Sequence, residues 1–156
     1  YYMKNVKFLE NLLEFKDIKE LYKKSDVLIM PGYGGYFIMA YLEAFLYGLP
    51  IVALDTYGSN EFVIDGKTGF LVNPSENAPI NVPEYPTNTR SPNFVKIIKE
   101  GDRKIVEDLV KRCSVLIENK KLREKMSIAC QKAFDNKYSY NIKINKLKKI
   151  FEKALK

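Results

Sequence analysis

One carboxylate stands apart in this sequence. Between Asp26 and Asp55 the only charged residue is Glu43, and it follows a loop that carries Gly32, Gly34 and Gly35. A carboxylate can accept two hydrogen bonds from a cis-diol such as that of ribose. A glycine-rich loop that enters a helix lets a ligand approach the backbone, and the helix start offers N–H groups and partial positive charge to a phosphate. A second loop of this kind, Asp55–Asn60, carries Gly58. The glycine pattern matches neither GxGxxG nor the Walker loop. Glu43 would be costly to bury unpaired. Two readings of it fit the residues: a ribose diol is its partner, with no obligatory internal one, or it pairs with a lysine or a backbone group from elsewhere in the chain. The absence of histidine removes histidine-based metal sites and Ser-His or Cys-His catalytic pairs from this segment.

The elements that must hold these residues alternate. Asn5–Leu12 reads as a strand and Lys16–Ser25 as an amphipathic helix capped by Asp17, with Ile18, Leu21 and Tyr22 on one face. Asp26–Met30 is an apolar strand stopped by Pro31. Tyr36–Gly48 is a helix ended by Gly48, and Pro50–Leu54 is a second apolar strand. A short helix and an Asp-Gly turn lead to a third, Phe70–Val72. About four strands, apolar throughout and separated by helices, predict a parallel sheet covered on both faces. In such sheets ligands bind beyond the carboxyl ends of the strands, where both glycine loops emerge. The proline-rich stretch 73–101 is expected to be a mobile insertion. Helices follow over Asp102–Asn119, Lys120–Asn136 and Ser139–Leu155, the last with Tyr140, Ile144, Leu147, Phe151 and Leu155 on a stripe expected to pack on a domain.

With 156 residues one domain is expected. Only about four strands, and a sequence that opens on Tyr1 almost directly in a strand-like run, suggest a piece of a longer protein. Cys113 and Cys130 lie far apart in helical sequence and read as small buried thiols. The net charge of +7 is uneven: residues 102–156 hold 16 basic and 7 acidic side chains, whereas residues 1–101 hold 10 and 12. The basic excess therefore belongs to the C-terminal helices. It suits a solvated lysine-rich surface or peripheral contact with an anionic membrane better than nucleic acid, since aromatic-basic interleaving is missing.

From Asn5 to Pro74 the chain resembles the C-terminal domain of GT-B glycosyltransferases of group 1, family 4. The matching pattern is a strand ending in Pro31, a loop, Leu42-Glu43-Ala44, then Gly48-Leu49-Pro50 and a strand. Gly58, Glu61, Asp65-Gly66 and Thr68-Gly69-Phe70-Leu71-Val72 follow at family spacing. The resemblance implies an α/β fold: a partial Rossmann-like parallel sheet, the C-terminal half of a GT-B donor-binding domain, with C-terminal helices. It implies a single donor-binding unit over 1–156. The implied activity is retaining sugar transfer from a nucleotide-sugar, with neither metal nor cofactor. In the family, two glutamates stand eight positions apart. The second corresponds to Glu43 and contacts the donor ribose; the first falls on Gly35, where the family's acid contacts the donor sugar.

Gly34, Gly35, Tyr36, Phe37 and Ile38 occupy the loop and helix start that would face the diphosphate, Ile38 replacing the usual glycine. Gly58, Ser59 and Glu61 form the second donor loop, where Glu61 is read as ordering the loop. Leu9-Glu10 stands where the family often has glycine. The implied partners are the nucleotide-sugar donor, a glycan, lipid-linked or small-molecule acceptor, and an N-terminal domain of the same enzyme. The implied location is cytoplasmic, with peripheral membrane contact. No catalytic residue is assigned, and the segment alone is expected to be inactive. A non-catalytic nucleotide-sugar-binding or interaction module of the same fold is the alternative that Gly35 favours.

Overall fold

The computed structural model describes residues 5–9, 14–33, 38–56, 58–74 and 92–155. Helix α1 spans Phe15–Lys24, strand β1 Leu28–Met30, helix α2 Ile38–Leu46, strand β2 Ile51–Leu54, the single turn α3 Ser59–Phe62 and strand β3 Gly69–Val72. Helix α4 (Pro92–Glu118), helix α5 (Lys120–Ala133), a π-helical turn (Phe134–Tyr138) and helix α6 (Tyr140–Ala154) follow.

The strands form one parallel sheet in the order β1-β2-β3, with Ile29 opposite Val52 and Val52 opposite Phe70. All four residues of β2 are buried, as expected of a central parallel strand covered on both faces. One side chain set of the sheet, Ile51 and Ala53, packs with Tyr41, Ala44 and Phe45 of α2 and with Cys130 of α5. The alternate set, Val52, Leu54, Phe70 and Val72, packs with Ile105 and Leu116 of α4 and Met126 of α5. The period of two along each strand and of three to four along each helix thus produces two apolar clusters, one on each face. Gly69 permits the β2–β3 pairing, since a Cβ there would stand 1.9 Å from the Ile51 carbonyl oxygen.

Helix α5 is fixed by its start. The Asn119 side chain accepts from the Leu122 N–H at 3.0 Å and caps it. Arg123 donates to the Leu116 and Ile117 carbonyls at 2.7 and 3.1 Å and pairs with Asp26 at 3.2 Å, so one guanidinium closes the end of α4 and ties it to the start of β1.

Several sequence expectations change. Residues 6–9 form no strand, and residues 10–13 lie outside the described residues. The segment has no ladder partner on β1, and Phe8 is 82% exposed. The described sheet therefore has three strands rather than about four. Helix α1 starts after Glu14, which places Asp17 in the first turn and not at the cap. Helix α4 begins at Pro92, ten residues before the sequence reading. Proline is well tolerated at the first helical position. Gly101 costs about 1 kcal/mol inside a helix, less than the packing of Ile105 and Leu116 can offset. Residues 75–91 lie outside the described residues, and with them most of the expected insertion. Most of the apolar stripe of α6 is uncovered among the described residues: Tyr140, Leu147, Phe151 and Leu155 are exposed, whereas Ile144 is partly buried. Among the described residues no helix is long and apolar enough to cross a membrane.

Candidate functional site

Parallel pairing brings the loops after β1 and β2 to the same edge of the sheet. A side chain joins them: the Thr56 hydroxyl donates to the Gly32 carbonyl at 3.2 Å. The second loop is held by Ser59, whose Oγ accepts the Thr56 N–H at 2.9 Å and lies 2.6 Å from the Leu54 carbonyl and 2.7 Å from that of Thr56. Ser59 is 2% exposed, so its side chain builds the loop from within. Gly58 precedes α3 at φ +82°, a left-handed conformation that favours glycine. A Cβ at Gly58 would lie 3.4 Å from Glu61 Oε1, which places the exposed Glu61 carboxylate beside the loop. The backbone carbonyl of Glu61 accepts from the Tyr138 hydroxyl at 3.3 Å. The π-helical turn thus braces this loop from below.

Glu43 is the sixth residue of α2, about 7.5 Å along the axis from Ile38. The helix buries Tyr41, Leu42, Ala44 and Phe45 and exposes Met39 and Leu46. Glu43 lies between Met39 and Leu46 on the helix surface and is half-buried. The Tyr22 hydroxyl donates to its Oε2 at 2.9 Å. The Tyr22 ring in turn stacks on Tyr47, with centroids 5.5 Å apart and planes 6° from parallel. Burial, the bond to Glu43 and the Glu43 charge, in that order, push the Tyr22 phenol well above its ordinary pKa. The phenol therefore remains a donor across the physiological range.

This corrects the expectation that Glu43 has no internal partner. It has one, a neutral phenol from α1, and no lysine or arginine pairs with it among the described residues. The interaction leaves the carboxylate with accepting capacity to spare.

Of the candidate donor-site residues, Gly34, Gly35, Tyr36 and Phe37 lie outside the described residues, as does Tyr57. Ile38 is the first residue of α2. Gly58, Ser59 and Glu61 come together in the second loop. Two residues were missed in the sequence reading. Tyr22 was read only as part of an apolar face; its hydroxyl was the sign that the face had a polar contact to make. Thr56 gave no signal, because its partner is a backbone carbonyl 24 residues away. Among the described residues no group of three histidine, cysteine, aspartate or glutamate side chains could hold a metal ion.

A family model described as "Glycosyl transferases group 1" matches residues 2–80, half of the chain. The chain belongs to this family. The group 1 match spans α1, the sheet and both site loops. The chain is 38% identical over 58 residues to an uncharacterized 41.2 kDa protein in the cps region of Klebsiella pneumoniae, covering 37% of this chain and 16% of that protein. It is 39% identical over 51 residues to a D-inositol 3-phosphate glycosyltransferase of Arthrobacter sp. (strain FB24), covering 33% of this chain and 12% of that protein. The C-terminal domain of a group 1 family glycosyl transferase (LpcC) from Francisella tularensis superposes with a TM-score of 0.61 at 18% identity, over 85% of this chain and 53% of that one. That likeness speaks for the fold, the α/β Rossmann-like sheet of a GT-B C-terminal domain. The matched segments span under a fifth of the two curated relatives.

Proposed function

We propose that this group 1 glycosyltransferase segment binds the nucleotide-sugar donor of a retaining sugar transfer. The observation that carries the reading is the Glu43 carboxylate, oriented by a neutral phenol and neutralised by no cation among the described residues. It stands two turns or less from the start of a helix that follows a glycine-rich loop. In this arrangement the donor diphosphate lies against the backbone of Gly34–Ile38, and Glu43 accepts hydrogen bonds from the ribose diol. The second loop, with Gly58 and Glu61, approaches the sugar, and Ser59 keeps that loop in shape from inside. A neutral phenol suits this role because it fixes the carboxylate without cancelling the charge that the diol hydroxyls seek.

The donor is substrate, and the reaction as proposed needs no metal or cofactor. The acceptor, whether glycan, lipid-linked or small molecule, would be met by an N-terminal domain of the same enzyme, at the cytoplasmic side and in peripheral contact with a membrane. The segment alone would bind donor weakly and turn nothing over. Gly35 favours a second reading, a module that binds nucleotide-sugar without catalysis, since the family's donor-sugar acid is missing there. A screen of nucleotide-sugar donors on the full-length protein, with product anomers determined, tests both. Turnover with retention supports the first reading, and donor binding without turnover supports the second. Failure to bind any nucleotide-sugar rejects both.

A further inference from the structure

We propose that a lysine-ringed groove between α5 and the α3–β3 connection docks this protein on an anionic phospholipid surface. The groove has a volume of about 870 Å³. Five lysines line it: Lys67, Lys121, Lys125, Lys132 and Lys137. Lys121, Lys125 and Lys132 stand at i, i+4 and i+11 of α5 and share a stripe with Ile128. Met126 and Cys130 occupy the opposite, buried stripe. The π-helical turn continues this wall and adds Lys137 and Tyr138. The groove floor is apolar, and Ile64 and Ile128 within it are about half exposed.

The charges do not balance locally. Two carboxylates, Glu61 and Glu124, share the lining, and Glu124 already faces Lys120 at 3.8 Å. Among the described residues none of the five groove lysines forms an ion pair. The Lys137 ammonium rests 3.4 Å from the Glu61 carbonyl and 4.9 Å from the Tyr138 ring centroid. Converging cations repel one another, and half-exposed isoleucines beneath them stay wet. A phospholipid headgroup relieves both: its phosphate lies among the ammonium groups, and the carbon next to it meets the floor.

The surroundings favour a membrane over an acidic peptide or a nucleic acid. The basic excess extends well beyond the groove, with 16 basic against 7 acidic side chains over residues 102–156. Helix α6, which follows the π-helical turn, exposes Tyr140 and Phe151 among the described residues, in a sequence that also holds five lysines and one glutamate. That composition is typical of helices that lie at headgroup level. The groove also includes Lys67 and Thr68, just before β3 begins, whereas the glycine loops leave the strands at their far ends. The groove shares Glu61 with the second donor loop. Docking here gives a site to the membrane contact of the proposed function. Vesicle binding tests the docking and donor calorimetry tests the donor reading, so the failure of one is distinguishable from that of the other.

The test is co-sedimentation of the full-length protein with vesicles of phosphatidylcholine alone or mixed with phosphatidylglycerol. Binding is expected only to the mixed vesicles and should weaken as salt is raised. Each lysine near an anionic surface contributes roughly fivefold, so Lys125→Gln with Lys132→Gln should lower partitioning roughly 25-fold. Lys19→Gln with Lys111→Gln, a matched loss of charge elsewhere, should change it little. Ile128→Asp should weaken binding further without changing the melting temperature. Absence of binding to mixed vesicles overturns the proposal, as does an equal loss from the control pair. A fall in melting temperature with vesicle binding unchanged would also overturn it, since the groove would then be covered by another part of the protein.

Discussion

The Tyr22 hydroxyl reaches across 21 residues of sequence to donate to Glu43 Oε2 at 2.9 Å. Helix α1, which buries no residue of its own, is thereby linked to the residue on which the donor reading rests. Glu43→Gln tests that reading directly. The amide keeps the size of the side chain, and its oxygen can still accept from Tyr22, but the charge is gone. A hydrogen bond to a charged group contributes about 1.5–3 kcal/mol, so donor affinity in the full-length protein should fall roughly 10- to 100-fold by calorimetry. The melting temperature should barely change, because the internal partner is a neutral phenol. A large loss of stability with donor affinity intact would sink the ribose assignment.

Tyr22→Phe removes the hydroxyl and retains the ring stacked on Tyr47. If the phenol orients Glu43, donor affinity should fall severalfold, less than in Glu43→Gln. The double variant should then be no worse than Glu43→Gln alone. Such non-additivity is the signature of two groups acting through one contact. Additive losses in the cycle would show that Tyr22 does not act through Glu43.

The sequence showed the sheet more clearly than the site. β2 is apolar at every position because it is covered on both faces, and that pattern is readable without coordinates. The N-terminal segment misled because an apolar run marks a strand only where a neighbour can pair with it, and Val6–Phe8 has none in the described sheet. Pro92 and Gly101 look like breakers in the sequence, yet one opens helix α4 and the other is carried through by packing further along. Glu43 was legible as an unusual residue, but its phenolic partner was not. Pairing across 21 residues depends on how α1 lies on α2, which no local spacing encodes.

Alkaline pH should destabilise the fold through groups that burial keeps protonated. Burial pushes the Cys130 thiol from 9.0 up to about 12, while its Sγ–H donates to the Thr68 carbonyl at 3.2 Å. Tyr22 is raised as well, by burial first and then by Glu43. In the unfolded chain these groups lose protons at their ordinary values, whereas in the folded chain they do not. Their contribution is therefore complete below about pH 9 and is lost progressively as the pH rises towards 12. Thermal melts from pH 8 to pH 11 should show the decline, and Cys130 should resist alkylation at pH 8 until the protein is unfolded. Rapid labelling of native Cys130 would contradict the burial on which this rests.

Ser59→Ala should separate loop integrity from ligand contact. The Ser59 hydroxyl is enclosed, accepts the Thr56 N–H and donates to a neighbouring carbonyl. Alanine removes that acceptor and leaves the Thr56 N–H with the Leu54 carbonyl alone, at 2.9 Å, a loss of about 0.5–1.5 kcal/mol. For a protein of this size or larger, that corresponds to a melting temperature lowered by a few degrees. Thr56 is also the residue that ties its loop to Gly32. With one of its anchors gone, Thr56 holds the two glycine loops less firmly, and donor affinity should fall along with stability. The pattern differs from that of Glu43→Gln, where affinity falls and stability holds. A Ser59→Ala protein with an unchanged melting temperature would mean that the hydroxyl network does not brace the loops. Lowered stability with donor affinity fully retained would mean that the two loops do not meet the donor together.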